Sequence, residues 1–133
     1  MIIDGYAHMF HESNLEAFNK MGGNWAREKV TGLSAQVQQK PALINVEDRL
    51  GFLDRNHVNM QIVTPPHFIY TTSMPEDIET KLKVAQIIND GMGMLMEESK
   101  GKLIGVGTVP LENYDKHGRK ELEEFFLYLY TNN

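Results

Sequence analysis

Apolar residues in this chain gather in short dense runs separated by longer amphipathic stretches. Met1-Ile2-Ile3, Val58 to Val63 and Leu103 to Val109 are too apolar for half-exposed strands. They suit strands buried on both faces, predicted near residues 1–7, 58–63 and 103–109. Pro65-Pro66 and Pro110 stop the second and third, because proline lacks a ladder donor. Helical spacing fills the gaps. Asn45 is a candidate N-cap for a helix to about Arg55-Asn56, with Leu50, Phe52 and Leu53 on its apolar side. Ser73 with Glu76 forms a capping-box signature ahead of the clearest helix, about Glu76 to Ser99, which carries Leu82, Val84, Ala85, Ile88, Met92, Leu95 and Met96. Gly101 suits its exit, and Lys116 to about Phe126 begins another helix.

The stretch from His11 to about Lys40 has a loose pattern, with Gly22-Gly23, Gly32 and many amides. It reads as a long excursion holding one short helix near Asn14–Met21, of a length that compact domains keep for a functional reason. Strands alternating with helices imply a parallel sheet, since parallel neighbours need crossover connections. Three such strands fit an open doubly wound sheet or the first part of a (β/α)₈ TIM barrel. No glycine-rich phosphate loop follows the first strand, which disfavours a dinucleotide-binding or flavodoxin-like domain.

Composition narrows the function classes. The 133 residues are 41% hydrophobic and 23% charged, as in a soluble globular chain. A net charge of −5 and the lack of a basic stripe argue against nucleic-acid partners. No apolar run approaches a membrane span. The chain has no cysteine, which removes disulfides, thiolate nucleophiles and cysteine zinc sites. Asp4 stands where a signal peptide would carry positive charge, so the expected location is cytoplasmic.

The first strand ends Asp4-Gly5-Tyr6-Ala7-His8. Residues two apart on a strand share a face, so Asp4, Tyr6 and His8 are expected to project together. At the C-terminal end of a barrel strand they would aim into the mouth, where a neutral imidazole can bind Zn²⁺ or a similar ion. The spacing also allows a histidine simply bonded to the main chain. His67, just past Pro65-Pro66, is a candidate substrate contact, or an exposed loop residue, and Tyr70 has the same standing. His11 reads as a loop residue and His117 as a turn residue. Asn89-Asp90, mid-helix beside Gly91 and Gly93, suggests packing or side-chain bonds to a neighbouring loop.

Three blocks of this sequence together resemble the amidohydrolase-related family that includes aminocarboxymuconate semialdehyde decarboxylase. The first is Ile2-Ile3-Asp4-Gly5-Tyr6-Ala7-His8, similar to an Asp-x-His-x-His opening. The second runs from Asp48-Arg49-Leu50-Gly51-Phe52-Leu53-Asp54 to Gln61-Ile62-Val63-Thr64-Pro65-Pro66. The third runs from Ala85-Gln86-Ile87-Ile88-Asn89-Asp90 to Gly105-Val106-Gly107-Thr108-Val109-Pro110-Leu111. The resemblance implies a metal-dependent barrel enzyme in which His8 is a ligand. Tyr6 stands where the family has its first metal histidine, and His57 where it prefers glycine. No arginine near Gln36–Lys40 matches the decarboxylases' substrate-binding one.

The expected function is therefore the N-terminal part of a metal-dependent decarboxylase or hydrolase acting on a small carboxylate or ring substrate. Its metal would be a divalent ion, Zn²⁺ in the complete family enzyme, with His8 and Tyr6 at the metal and His67 at the substrate. Residues 1–133 are read as one incomplete barrel domain, inactive alone, because the family continues for about five more strand-helix units. The alternative is a non-catalytic subunit that associates with itself or a partner chain. Open sheet edges and the Phe125-Phe126-Leu127-Tyr128-Leu129-Tyr130 stretch would serve that contact.

Overall fold

The computed structural model describes residues 1–66 and 77–109. Within them, β1 (Ile3–His8), β2 (Met60–Thr64) and β3 (Leu103–Gly105) form one sheet in the order β1-β2-β3. Both pairings are parallel. The helices are α1 (Glu12–Met21), α2 (Gly23–Gln39), α3 (Val46–Arg55) and α4 (Ile78–Glu98), with a 3₁₀ turn at Pro41–Leu43. Sequential parallel strands separated by helices make an α/β architecture of the kind found in part of a (β/α)₈ barrel. The expected helix from Lys116, His117 and the aromatic tail lie outside the described residues.

Local chemistry sets the ends of the elements. Asn45 caps α3, its side-chain oxygen accepting from the Asp48 N–H at 2.9 Å. The described part of α4 begins at Ile78, with Asp77 as its cap, accepting from the Thr80 N–H at 2.7 Å. The Ser73–Glu76 signature lies outside the described residues. At the far end, Lys100 N–H reaches the Glu97 carbonyl and Gly101 N–H the Met96 carbonyl, both at 3.0 Å. This is a Schellman exit, and it places Lys100 itself in the left-handed region, at φ 53°. β3 is shorter than its apolar run, which ends its ladder at Gly105. The chain beyond is held by other bonds. Val106 N–H donates to the Val63 carbonyl at 2.9 Å. The Asn89 amide grips Thr108, accepting from its N–H at 2.7 Å and donating to its carbonyl at 2.9 Å.

The excursion after β1 departs from expectation. It is two helices instead of a loop with one short helix. Gly22 and Gly23, at φ 72° and 83°, form the corner between α1 and α2. Ala26, Lys29 and Leu33 give α2 a buried stripe. Ala26 and Leu33 cluster with Phe10 and Phe18, together with Val84, Ile87 and Ile88 on α4. Each fully buried side chain such as Phe18 or Leu33 contributes about 1.5–3 kcal/mol. A second cluster lies between sheet and helices, built from Met9, Leu53, Val63, Met92, Leu95 and Leu103. α4 joins both clusters, so the excursion docks on the same helix that covers the sheet. It passes close to β3, where a Cβ on Gly105 would stand 2.9 Å from the Met92 Cβ.

A second departure concerns β1. Asp4 pairs with Gln61 and Ala7 with Val63, so three steps on β1 oppose two on β2. The irregularity at Gly5-Tyr6 is a bulge, and it breaks the two-residue alternation. Asp4 therefore does not project with His8. It goes with buried Gln61, whose side-chain nitrogen donates to Asp4 Oδ2 at 2.6 Å. His8 goes with Thr64.

Candidate functional site

Around His8 the polar groups converge at the C-terminal end of β1. Its Nδ1 lies 3.2 Å from the Pro65 carbonyl and 3.0 Å from Thr64 Oγ1. A carbonyl only accepts, so Nδ1 carries the hydrogen. The Thr64 hydroxyl in turn donates to the Ala7 carbonyl at 3.3 Å. Nε2 is then the unprotonated nitrogen of the neutral ring. It receives the Tyr6 hydroxyl at 3.0 Å, with the two rings edge to face. Tyr6 is 67% exposed, so this side of the imidazole opens toward solvent.

An imidazole held at Nδ1–H by a carbonyl, with its Nε2 lone pair outward, is oriented as metal-ligating histidines are. The surrounding donor set is small. Among the described residues no three histidine, aspartate or glutamate side chains are grouped to hold a metal ion. Zinc takes three or four protein ligands, and a phenol is a poor one near neutral pH. The described residues alone do not fit a metal ion. His67 and Tyr70 lie outside the described residues.

Main-chain contacts hold the end of β1 firmly. Met9 N–H donates to the Thr64 carbonyl at 3.1 Å, and Phe10 N–H to the Leu43 carbonyl at 3.0 Å. Arg49 Nη2 donates to the His8 carbonyl at 3.2 Å and the Ala42 carbonyl at 2.8 Å. Burial pushes the Arg49 guanidinium below the usual arginine range, and the negative charge of Asp4 opposes that shift. Sequence reasoning missed Thr64 and Arg49. Thr64 stands opposite His8 only through the parallel register, which the sequence does not display.

His11 is the other histidine whose surroundings are informative: it lies in the connection between β1 and α1, just ahead of the helix. It is buried and caps α1, Nδ1 accepting from the Ser13 N–H at 3.2 Å. Its own N–H donates to Asn14 Oδ1 at 3.1 Å, and Nε2 meets Glu98 Oε1 at 2.9 Å. A carboxylate accepts, so Nε2 carries hydrogen here, the reverse of His8. A cleft of about 590 Å³ lies beside this pair, walled by Val37, Ile44 and Leu50.

Sheet and site define an α/β chain of parallel strands with a polar cluster at the C-terminal end of the first strand. A crystal structure with the same fold is that of the 4-oxalomesaconate hydratase LigJ from Rhodopseudomonas palustris, with a TM-score of 0.56 and 17% identity. The match covers 93% of this chain and 38% of that one, so this chain spans well under half its length. At such identity the likeness shows the fold alone. No protein-family model matches the chain, and no curated protein matches it. No described helix is long and apolar enough to cross a membrane.

Proposed function

We propose that this chain is the N-terminal part of a metal-dependent barrel of the amidohydrolase type, a hydrolase or decarboxylase for a small carboxylate or ring substrate. His8 would be one ligand of a divalent ion such as Zn²⁺, with Tyr6 beside it, and His67 a substrate contact. Further ligands would come from outside the described residues. The observation that carries this reading is the contact of His8 Nδ1 with the Pro65 carbonyl, which leaves Nε2 facing Tyr6 at the C-terminal end of a parallel strand. On its own the chain is expected to be inactive and to hold zinc substoichiometrically. Zinc titration followed through the histidine ring resonances tests the ligand role. Perturbation is expected at His8 Nε2 and lost in His8→Ala, whereas perturbation confined to other histidines overturns it. A stoichiometric ion lost in His8→Ala would mean that the chain, or an oligomer of it, completes a site.

A second reading is a non-catalytic subunit that associates with a copy of itself or a partner chain in the cytoplasm. It is supported by exposed apolar side chains on β1 and just past β3: Ile3 at 46%, Tyr6 at 67% and Val106 at 42%. Sedimentation velocity at micromolar concentration tests it. A dimer or larger species is expected, and a monomer with a cooperative melt would reject it.

A further inference from the structure

Arg49 is a half-buried cation whose described hydrogen bonds are made to main chain. It sits in the first turns of α3, which starts at Val46. Both recorded bonds come from Nη2, one to the last residue of β1 and one to the 3₁₀ turn that ends the helical excursion. Among the described residues its Nε is buried without a partner. A desolvated charge is stable only where its bonds offset the loss of water, so these two carbonyls are what hold the group in place. The planar guanidinium fixes the directions of the two Nη2 hydrogens, which a rotating ammonium would not do.

We propose that Arg49 is a positioning residue for His8. By gripping the His8 carbonyl it fixes the backbone from which the imidazole projects. That keeps Nδ1 within reach of the Pro65 carbonyl and Thr64 Oγ1, and so keeps the Nε2 lone pair outward. The same bond pair fastens the 3₁₀ turn to the strand end, beside the Phe10–Leu43 contact. The excursion is thereby coupled to the orientation of the site. The Arg-x-x-x-Leu-Asp block then has a physical content. Arg49 holds the site end of β1, Leu53 fills the core, and Asp54 pairs with Lys102 at 2.7 Å at the entry to β3. This proposal rests on His8 being the site residue, but not on any metal binding there.

The test uses the metal-free full chain, labelled with ¹⁵N, at mildly alkaline pH. In the native protein the two His8 ring nitrogens should be well separated in shift, Nδ1 protonated and Nε2 not, with assignments from their loss in His8→Gln. Arg49→Lys keeps the charge and should draw the two shifts toward a tautomer average, while Arg55→Lys leaves them unchanged. A folded Arg49→Lys that melts earlier yet keeps the native His8 shifts would overturn the proposal, because Arg49 would then be structural only. Should Arg49→Lys not fold, the native protein still decides. Slow rotation of the Arg49 Nη2 group, with its hydrogens protected from exchange, is expected. Free rotation overturns the proposal. Zinc titration of the same samples reports separately on the ligand role of His8.

Discussion

Asn14 occupies the space that a side chain on Gly91 would need: a Cβ there would overlap the Asn14 amide. That amide is buried and bonded through both its nitrogen and its oxygen. Its nitrogen donates to the Ile87 carbonyl at 2.6 Å, and its oxygen accepts from the His11 N–H at 3.1 Å. α1 is thus bolted to α4 where α4 has no side chain.

Gly91→Ala should therefore destabilise the fold, although alanine is the better helix former by about 1 kcal/mol. Overpacking of this kind costs about 1–3 kcal/mol. Gly93 is the control, with nothing within 4 Å of its hypothetical Cβ, and Gly93→Ala should stabilise by about 0.5–1 kcal/mol. Urea midpoints of the two variants should move in opposite directions.

His57 and Lys100 hold left-handed backbone, at φ 58° and 53°. A side chain there costs about 1–2 kcal/mol that glycine does not incur. Glycine also has more freedom to lose on folding, by about 0.5–1 kcal/mol. His57→Gly and Lys100→Gly should each raise the melting temperature by a few degrees, and a lowered one would contradict the strain argument.

Hydrogen bonding to Thr80, through its side chain first and its backbone second, holds the Asp77 carboxylate below the usual aspartate range. The folded value is lowered, so the contribution of Asp77 is fully present above the ordinary aspartate value. It is lost as pH falls through the lowered folded value. Asp77→Asn still caps the helix but does not titrate. The native protein should lose melting temperature more steeply than Asp77→Asn across that acid window. Parallel curves would show that Asp77 contributes nothing there.

Asn89 bonds both the N–H and the carbonyl of Thr108. Asn89→Asp keeps the acceptor and loses the donor, and Asn89→Leu loses both. The expected destabilisations are about 0.5–1.5 kcal/mol and about 1–3 kcal/mol, the second including an unpaired main-chain pair. Amide exchange at Thr108 should accelerate in Asn89→Leu alone. Equal protection in both variants and the native protein would refute the clamp.

The strands and α3 were legible because dense apolar runs and a capped amphipathic stretch each leave a direct mark in the sequence, but burial on both faces did not follow: Ile3 and Tyr6 on β1 are exposed. Asn89 was readable too, since a poor helix former in mid-helix needs a partner. The excursion was not, because Gly22-Gly23 looked like a loop when it is a corner between two helices. The stripe of Ala26, Val30, Leu33 and Val37 was present, but Lys29 and the amides between them diluted it. At the candidate site, His8 and Tyr6 could be named from residue type and position. Thr64, Pro65 and Arg49 were not, because their parts depend on register and on a side chain reaching back across the fold. The placing of Asp4 with His8 failed at a bulge, which changes no residue's chemistry and so leaves little trace in composition.

That bulge makes one stretch of the chain intolerant of insertion. At the Gly22-Gly23 corner an added residue would lengthen a surface connection at small entropic cost. Between Asp4 and Ala7, where β1 already spends three steps against two on β2, one residue more would exchange inside for outside. Either Asp4 would leave Gln61, or Ala7 and His8 would trade places between the helix layer and the strand mouth. Drift among descendants of this chain is thus free to add length in the first place and barred from adding it in the second.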